Sequence, residues 1–244
     1  MFDSLFLRGF SIGNNFDEEY LNHIPALRHL HGFDFERPVT FFIGENGTGK
    51  STLLEALAIQ CGFNPEGGTR NFNFSTKESH SGLYRSLKIS RGIPFARDGF
   101  FLRAESFYNV ATEIEKLELD GKPGFMERNY GGDLHEKSHG ESFLALALNR
   151  FKGNSLFILD EPEAALSPSR QMSLLARIHE LVKDGSQFII ATHSPILMAY
   201  PDADIIAFTD DGAERTSYEQ TEHFVLTRQF LNNPHNMLRY LLED

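Results

Sequence analysis

The sequence has little cysteine, no long apolar run and no excess of positive charge. Cys61 is the single cysteine among 244 residues, which excludes an internal disulfide and a cysteine-rich metal site, and we expect its thiol to be buried. No apolar run approaches the roughly 18 to 20 residues needed to cross a bilayer. The segment MFDSLFLRGF carries an acid where a signal peptide would be basic, so the sequence predicts a cytoplasmic protein.

Acidic residues outnumber basic ones, with 34 Asp and Glu against 23 Lys and Arg and a net charge of −11. This balance argues against a surface coated with positive charge for nucleic acid. The segment 67–97 differs, because it holds six basic residues and one acid, Glu78. Two interpretations are open: an anion-binding patch with interleaved aromatic rings, or the solvated face of an antiparallel sheet. The second is favoured, because charge patches are weak indicators of function.

Short apolar runs alternate with helical segments along the chain. Four such runs predict strands, at 39–43, 155–160, 187–192 and 203–208. Residues 51–60 have helical composition, and a further helix is predicted to begin near Ser167 with Pro168 in its first turn. Strands that are apolar on both faces and separated by helices predict a parallel sheet covered on both sides.

The segment GENGTGKST separates the first predicted strand from the helix that follows it. Its glycine, lysine and serine spacing is that of the phosphate-binding P-loop, in residues and in context. Glycines let backbone N–H groups converge on phosphate oxygens, Lys50 reaches the β- and γ-phosphates, and the Ser51 hydroxyl can bind Mg²⁺. The alternative is a turn that merely joins strand to helix, which the Lys-Ser pair and both flanks disfavour. The predicted nucleotide-binding residues are Gly44, Glu45, Asn46, Gly47, Thr48, Gly49, Lys50, Ser51 and Thr52.

A pair of carboxylates ends the next apolar run, in LFILDEP. Asp160 is a candidate for the Mg²⁺ shell together with Ser51, and Glu161 is placed to polarise an attacking water. Two adjacent acids at a strand end could instead begin a turn. Their position 110 residues after Lys50 favours the nucleotide site.

Further motifs follow the P-loop in order. KSHGES (137–142) leads into a helical segment, EAALSP follows DEP, and IIATHSP places His193 at a strand end 33 residues after Asp160. In these motifs and their spacing the chain resembles the ABC-type ATPases. The resemblance assigns KSHGES to a divergent ABC signature, EAALSP to the D-loop, and His193 to the switch histidine that contacts the γ-phosphate. A strand-end histidine that caps the next helix is the alternative for His193.

The resemblance implies an ATP hydrolase that works as a head-to-tail homodimer. Signature residues Ser138, Gly140 and Glu141 would lie against ATP that is bound, with Mg²⁺, by the second subunit. Lys50, Glu161 and His193 would be the catalytic residues on the first. ATP would close the dimer, and hydrolysis would open it.

Two further positions are inferred from the family pattern. Glu105, at the end of GFFLRAE, stands where the family has the Q-loop glutamine and is a predicted Mg²⁺ ligand. The group that stacks on adenine is left open among four residues that precede the P-loop: Arg8, Phe10, Phe16 and Tyr20.

The implied fold is a single α/β domain over residues 1–244, a P-loop NTPase of ABC-ATPase type. It has a mostly parallel sheet flanked by helices, an antiparallel β region at about 67–100, and a small helical subdomain at about 106–150 that carries the signature.

Asn46 and the glutamate of HGE resemble the structural-maintenance-of-chromosomes and recombination-repair branch of the family. Only 87 residues separate Lys50 from Ser138, so the long coiled coil of those proteins has no room, and the chain is most similar to the small stand-alone ATPases of that branch. This favours a soluble ATPase acting on nucleic acid or on a partner protein. The alternatives are the nucleotide-binding subunit of an ABC membrane transporter, with a separate permease, and an ATP-gated interaction module with low turnover.

Overall fold

The computed structural model describes residues 5–13, 16–70, 81–103 and 139–242, with the isolated positions 112, 114, 115, 124, 127 and 132. The strands are β1 (Leu7–Ile12), β2 (Gly32–Asp34), β3 (Val39–Gly44), β4 (Leu87–Arg91), β5 (Asp98–Arg103), β6 (Ser155–Asp160), β7 (Gln187–Ala191), β8 (Asp204–Thr209) and β9 (Gly212–Thr216). The helices are α1 (Pro25–His29), α2 (Lys50–Gln60), α3 (Leu83–Ser86), α4 (His139–Asn149), α5 (Pro168–Lys183), α6 (Pro195–Met198), α7 (Glu222–Asn232) and α8 (Pro234–Leu242), with short 3₁₀ helices at Glu19–His23 and Tyr218–Gln220.

Six strands form the central sheet, in the order β5-β6-β7-β3-β8-β9. The first five are parallel to their neighbours, and β9 runs antiparallel to β8. Every residue of β6 and β7 is buried, as expected of parallel strands covered on both faces. The predicted fold class is confirmed, and the four predicted strands are present with ends that differ by at most one residue.

Two apolar cores cover the two faces of this sheet. Neighbouring residues of β3 point to opposite sides, so that Phe41 packs with α4 and α5 while Phe42 packs with α2 and the N-terminal strand β1. On the α5 side, the rings of Phe151, Phe157 and Phe188 stack with centroids 4.3 and 4.7 Å apart. The helix α5 begins as predicted, with the Ser167 hydroxyl accepting a hydrogen bond from the backbone of the third helical residue.

A second, antiparallel sheet has the order β2-β1-β4. The sequence placed the antiparallel region at about 67–100, but two of these three strands precede β3, and only β4 comes from the predicted range. The end of that range lies in β5, which pairs in parallel with β6 because its central residues are buried on both faces. Residues 71–80 lie outside the described part of the chain. Of the predicted helical subdomain, the structure describes α4 and a few isolated positions.

Gln187 joins the two sheets. It is 1% exposed, and its side-chain amide accepts hydrogen bonds from the backbone of Phe6 and Leu7 and donates one to the Leu7 carbonyl, at 2.8 to 3.0 Å. A buried amide that is satisfied in this way fixes β1 against the start of β7. Cys61 is buried as predicted, and burial raises the pKa of its thiol to about 11, so it is an inert core residue.

Candidate functional site

The loop between β3 and α2 has the backbone of a phosphate cradle. Gly44, Gly47 and Gly49 have φ angles of 140, 84 and 98°, which side chains rarely tolerate. A Cβ on Gly44 would lie 2.4 Å from the Phe208 carbonyl oxygen of β8, and one on Gly49 would lie 2.7 Å from the Ile24 side chain. The loop therefore requires glycine at both positions, and it leads directly into the first turn of α2, whose N–H groups have no partners within the helix.

Lys50 lies folded against this loop. It is 4% exposed, and its ammonium donates hydrogen bonds to the carbonyl oxygens of Gly44 and Glu45 at 2.8 and 2.7 Å. Burial lowers the pKa of Lys50, and the nearby carboxylates of Glu161 and Asp160 act in the opposite direction. A buried ammonium held by neutral carbonyls gains from an anion placed beside it, so the cradle fits a nucleotide phosphate.

Ser51 and Asp160 meet at the carboxyl ends of β3 and β6. The Ser51 hydroxyl donates a hydrogen bond of 3.0 Å to the Asp160 carboxylate across 109 residues of sequence. A hydroxyl and a carboxylate beside a phosphate cradle are ligands of the type that Mg²⁺ takes, with water and phosphate oxygens completing its shell. Within the described ranges, no group of three histidine, cysteine or acidic side chains could hold a metal by itself. Glu105, the third predicted ligand, lies outside the described residues.

Glu161 is held in an unusual backbone conformation at the end of β6. Its φ is 48°, in the left-handed region, and its N–H donates to the Ala191 carbonyl of β7 at 2.9 Å. A non-glycine residue in this region is strained, and such strain concentrates at functional sites. The Glu161 carboxylate lies 3.6 Å from Nε2 of His193, which follows β7.

Two hydrogen-bonding contacts hold His193. Its backbone N–H donates to the Glu163 carboxylate at 2.6 Å, and its Nδ1 lies 3.2 Å from Nε2 of His223 on α7. Its Nε2 is buried and has no hydrogen-bond partner among the residues described. Burial lowers the pKa of the His193 ring, and the positive charge of Lys50 lowers it further.

The helix-capping alternative for His193 is wrong. The cap of α6 is Ser194, whose hydroxyl accepts hydrogen bonds from the backbone N–H groups of Ile196 and Leu197 at 3.1 and 3.2 Å. The imidazole of His193 points instead toward Glu161, so its side chain is available for chemistry.

Two cavities adjoin these residues at the carboxyl ends of the parallel strands, where α/β proteins bind ligands. The first, of about 660 Å³, lies between the P-loop, Glu161, His193 and the first turns of α7. The second, of about 430 Å³, lies between Gly44, the end of β8 and His223. The start of α7 borders both.

Glu163 and His223 are the site residues that the sequence did not reveal. Burial raises the pKa of the Glu163 carboxyl, and repulsion from Glu161 acts in the same direction. The third acid of DEPE was a signal for Glu163. Nothing in the sequence marks His223, which lies 30 residues from His193 and reaches it only because α7 folds back over the site.

The predicted signature begins α4, and its described residues pack against their own chain. A Cβ on Gly140 would lie 2.2 Å from the Ala165 carbonyl oxygen, so the backbone of the predicted D-loop packs closely against this glycine. Glu141 forms an ion pair of 2.9 Å with Arg170 of α5, and both side chains are at least one-third exposed. Ser138 lies outside the described residues.

Two arginines of the basic segment, Arg70 and Arg91, contact distant parts of their own chain. Arg91 donates to the Gln60 carbonyl at 2.9 Å, and Arg70 donates to the Ala96 carbonyl and lies over the Phe63 ring. These contacts favour the structural interpretation over an anion-binding patch. Among the adenine candidates, Phe10 is 5% exposed and packs on Phe35 in the core, so it cannot stack on a base.

Comparisons with known proteins agree with these motifs. Residues 20–129 match a family described as "AAA domain", and residues 141–199 match one described as "AAA domain, putative AbiEii toxin, Type IV TA system". The chain is 26% identical over 187 residues to "ABC transporter G family member STR2" of Medicago truncatula, a match covering 70% of this chain and 26% of that protein. It is 26% identical over 216 residues to "Probable ATP-dependent transporter ycf16" of Guillardia theta, covering 79% of this chain and 84% of that protein. The chain thus spans about a quarter of one relative and most of the other.

Solved structures with a similar arrangement include both transporter and chromosome-maintenance proteins. For cbiO1 from Clostridium perfringens, part of the ABC transporter complex cbiONQ, the TM-score is 0.48 at 17% identity, covering 98% of this chain and all of that one. For the SMC head domain from Thermotoga maritima, the TM-score is 0.45 at 14% identity, covering 87% and 99%. No helix in the described part of this chain is long and apolar enough to cross a membrane. With both family matches and the ordered motifs, the chain belongs to the ABC-type P-loop ATPases.

Proposed function

We propose that this protein binds ATP with Mg²⁺ and hydrolyses it in a head-to-tail homodimer, and that it acts on a partner protein or nucleic acid in the cytoplasm. The observation that carries the proposal is the meeting of four groups at adjacent strand ends. These are the buried Lys50 ammonium, the Ser51–Asp160 pair, the strained Glu161 and the buried Nε2 of His193.

Each group has a distinct task in this proposal. Lys50 exchanges the loop carbonyls for phosphate oxygens, and Ser51 and Asp160 hold Mg²⁺, which neutralises charge on the phosphates when it is bound. Glu161 orients a water molecule and accepts its proton, and its forced backbone aims the carboxylate before the nucleotide arrives. His193 donates from Nε2 toward the γ-phosphate and keeps the Glu161 carboxylate in place.

The dimer is the finer part of the proposal. Gly140 and Glu141 lie in the first turn of α4, Ser138 precedes them in the sequence, and the start of a helix offers N–H groups to an anion. We assign this anion as the γ-phosphate of the nucleotide on the second subunit. Contact between Gly140 and the D-loop carbonyl of Ala165 would keep the signature and the D-loop together as the subunits close.

The partner class follows from the surfaces. Arg70 and Arg91 of the basic segment contact their own chain, whereas α7 and α8 expose large apolar side chains: Leu231, Tyr240, Leu241 and Leu242 are 70 to 79% exposed. Apolar patches are typical of protein contacts, so a partner protein is favoured over nucleic acid.

A transporter subunit is the second candidate, because most of the length of ycf16 is matched. Co-purification with a membrane protein would favour the transporter role, and a stable dimer with negligible turnover would favour an ATP-gated module.

The test is the variant Glu161→Gln, which keeps the side-chain shape and removes the proton acceptor. It should bind ATP, hydrolyse it at least about 100-fold more slowly, and accumulate as a dimer in ATP and Mg²⁺. Sedimentation velocity with and without ATP measures the dimer, and phosphate release measures turnover. A monomeric variant in saturating ATP would refute the dimer, and wild-type turnover would remove Glu161 from the mechanism.

A further inference from the structure

The two ring nitrogens of His193 have different surroundings. Nδ1 lies 3.2 Å from Nε2 of His223, within hydrogen-bonding distance. Nε2 is buried, lies 3.6 Å from the Glu161 carboxylate, and makes no hydrogen bond to any residue that the structure describes. A neutral imidazole carries one proton, so the nitrogen that holds it decides whether His193 presents a donor or a lone pair to the reacting groups.

Only one arrangement of the His193–His223 hydrogen bond suits the site. If His193 donated from Nδ1, its bare Nε2 would turn a lone pair toward the Glu161 carboxylate, and the two would repel. If His223 donates from its own Nε2, His193 must carry its proton on Nε2, where it can meet a carboxylate or phosphate oxygen. Burial lowers the pKa of both rings, which favours the neutral forms that this arrangement needs.

We infer that His223 is a positioning residue for ATP hydrolysis, whose Nε2–H holds His193 in the tautomer that donates from Nε2. The inference rests on the proposed function, because it gives a role to the His193 donor in that reaction. His223 acts through His193, much as an outer hydrogen-bond partner fixes the tautomer of a metal-bound histidine.

The start of α7 is built to hold His223 in this place. Thr221, 3% exposed, caps the helix by accepting from the Phe224 N–H at 3.3 Å, and its hydroxyl donates to the Tyr218 carbonyl at 2.7 Å. The Tyr218 hydroxyl donates to the carbonyl of Pro195 at 2.9 Å, two residues beyond His193. These bonds tie the first turn of α7 to the segment that carries His193.

The first test reads the tautomer directly and needs no catalysis. Long-range ¹H–¹⁵N imidazole spectra of the nucleotide-free protein should show His193 protonated on Nε2 and bare at Nδ1. His223→Gln places a side-chain amide donor where Nε2–H stood and should keep that pattern. His223→Glu has the same shape but only accepts, so His193 should gain a proton on Nδ1. A wild-type His193 protonated on Nδ1, or an unchanged pattern in His223→Glu, would overturn the inference.

The second test asks whether the tautomer affects turnover. His223→Gln should keep kcat within about twofold of the wild type, whereas His223→Glu and His223→Leu should lower kcat about tenfold or more with KM for ATP little changed. Circular dichroism and unfolding temperature check that α7 remains folded. An equal fall in kcat for Gln and Glu would show a merely structural role. If the wild type shows no turnover, the proposed function fails, and the spectra alone decide the inference.

Discussion

At the scale of single residues, Lys50 shows how binding and stability oppose each other. Burial is the main effect on its charge and lowers its pKa in the folded protein, and the ammonium donates hydrogen bonds to the carbonyl oxygens of Gly44 and Glu45. Lys50→Met keeps the volume and removes the charge, so we expect an unfolding temperature equal to or above that of the wild type and a loss of ATP binding of at least about 100-fold. Calorimetric titration with ATP and thermal unfolding measure the two effects. Unchanged ATP affinity in a folded variant would refute the P-loop assignment.

The paired histidines predict a pH dependence of stability. Burial lowers the folded-state pKa of His193 and of His223, so below about pH 6.5 the unfolded chain binds protons that the folded protein rejects. Stability should therefore fall as the pH drops from 7 toward the folded-state values. The pKa of Glu163 is raised, so its contribution to stability increases as the pH drops toward about 4.5, opposite to that of the histidines. This contribution is present in both the wild type and a histidine variant, so it cancels when the two proteins are compared.

The variant His223→Gln isolates the histidine contribution, because its amide does not titrate. Urea unfolding at pH 7, 6 and 5 should show a smaller loss of stability for this variant than for the wild type. Equal losses for both proteins would mean that His223 titrates alike in the folded and unfolded states.

The sequence was informative about site residues that belong to local motifs and silent about those that meet through folding. Lys50 and Asp160 stand in short patterns whose spacing reflects a loop or a strand end, so each could be predicted from its neighbours. His223 contacts His193 only because β8, β9 and α7 return the chain to the site, and no local pattern records that path. The alternative role for His193 was excluded only by the observation that Ser194 already caps α6.

At the scale of elements, the P-loop depends on the close approach of β3 to β8. Gly44 pairs with Phe208, and a Cβ there would meet the Phe208 carbonyl at 2.4 Å in addition to the strain of a φ of 140°. We expect Gly44→Ala to destabilise the protein by about 2 to 4 kcal/mol and to abolish ATP binding. Urea unfolding and calorimetric titration measure both.

Gly47→Ala is the matched control for this prediction. Gly47 also has a positive φ, 84°, but a Cβ there would meet nothing within 4 Å. Gly47→Ala should lower the free energy of unfolding only through backbone strain, by about 1 kcal/mol. If the two variants are equally destabilised, the contact with Phe208 is unimportant and backbone strain alone accounts for the loss.

Strands were predictable where both faces are buried, and less so where one face meets solvent. The β6 run SLFILD is buried throughout and was assigned with correct ends, whereas the described antiparallel sheet takes only β4 from the predicted range 67–100. Its strand β2 has only three residues, none of them buried, and β1 is held to the central sheet by the side chain of Gln187. Such pairing depends on distant segments, so local composition does not reveal it.

At the scale of the whole molecule, the proposed active site needs two chains, and the structure decides which variants can test this. Gly140 is unsuitable for substitution, since any side chain would strike the Ala165 carbonyl of its own subunit at 2.2 Å. Ser138→Asp is better: aspartate is as good a helix N-cap as serine, so the start of α4 should stay folded, while the added negative charge would face the γ-phosphate of the partner's nucleotide.

The last prediction combines this variant with Lys50→Met. Each homodimer has two defective sites, one type through its P-loop and the other through its signature, and should be inactive. In a mixed dimer, the intact P-loop of the Ser138→Asp chain meets the intact signature of the Lys50→Met chain, which restores one native site. With random pairing, half of the dimers are mixed and each has one working site of two, so activity should recover to about a quarter of wild type.

Phosphate release from an equimolar mixture, with two affinity tags to isolate the mixed dimers, measures the recovery. If mixed dimers are no more active than their parents, either each complete site lies within a single chain or hydrolysis requires ATP at both sites. Restored binding of a non-hydrolysable ATP analogue at one site per mixed dimer would identify the second case.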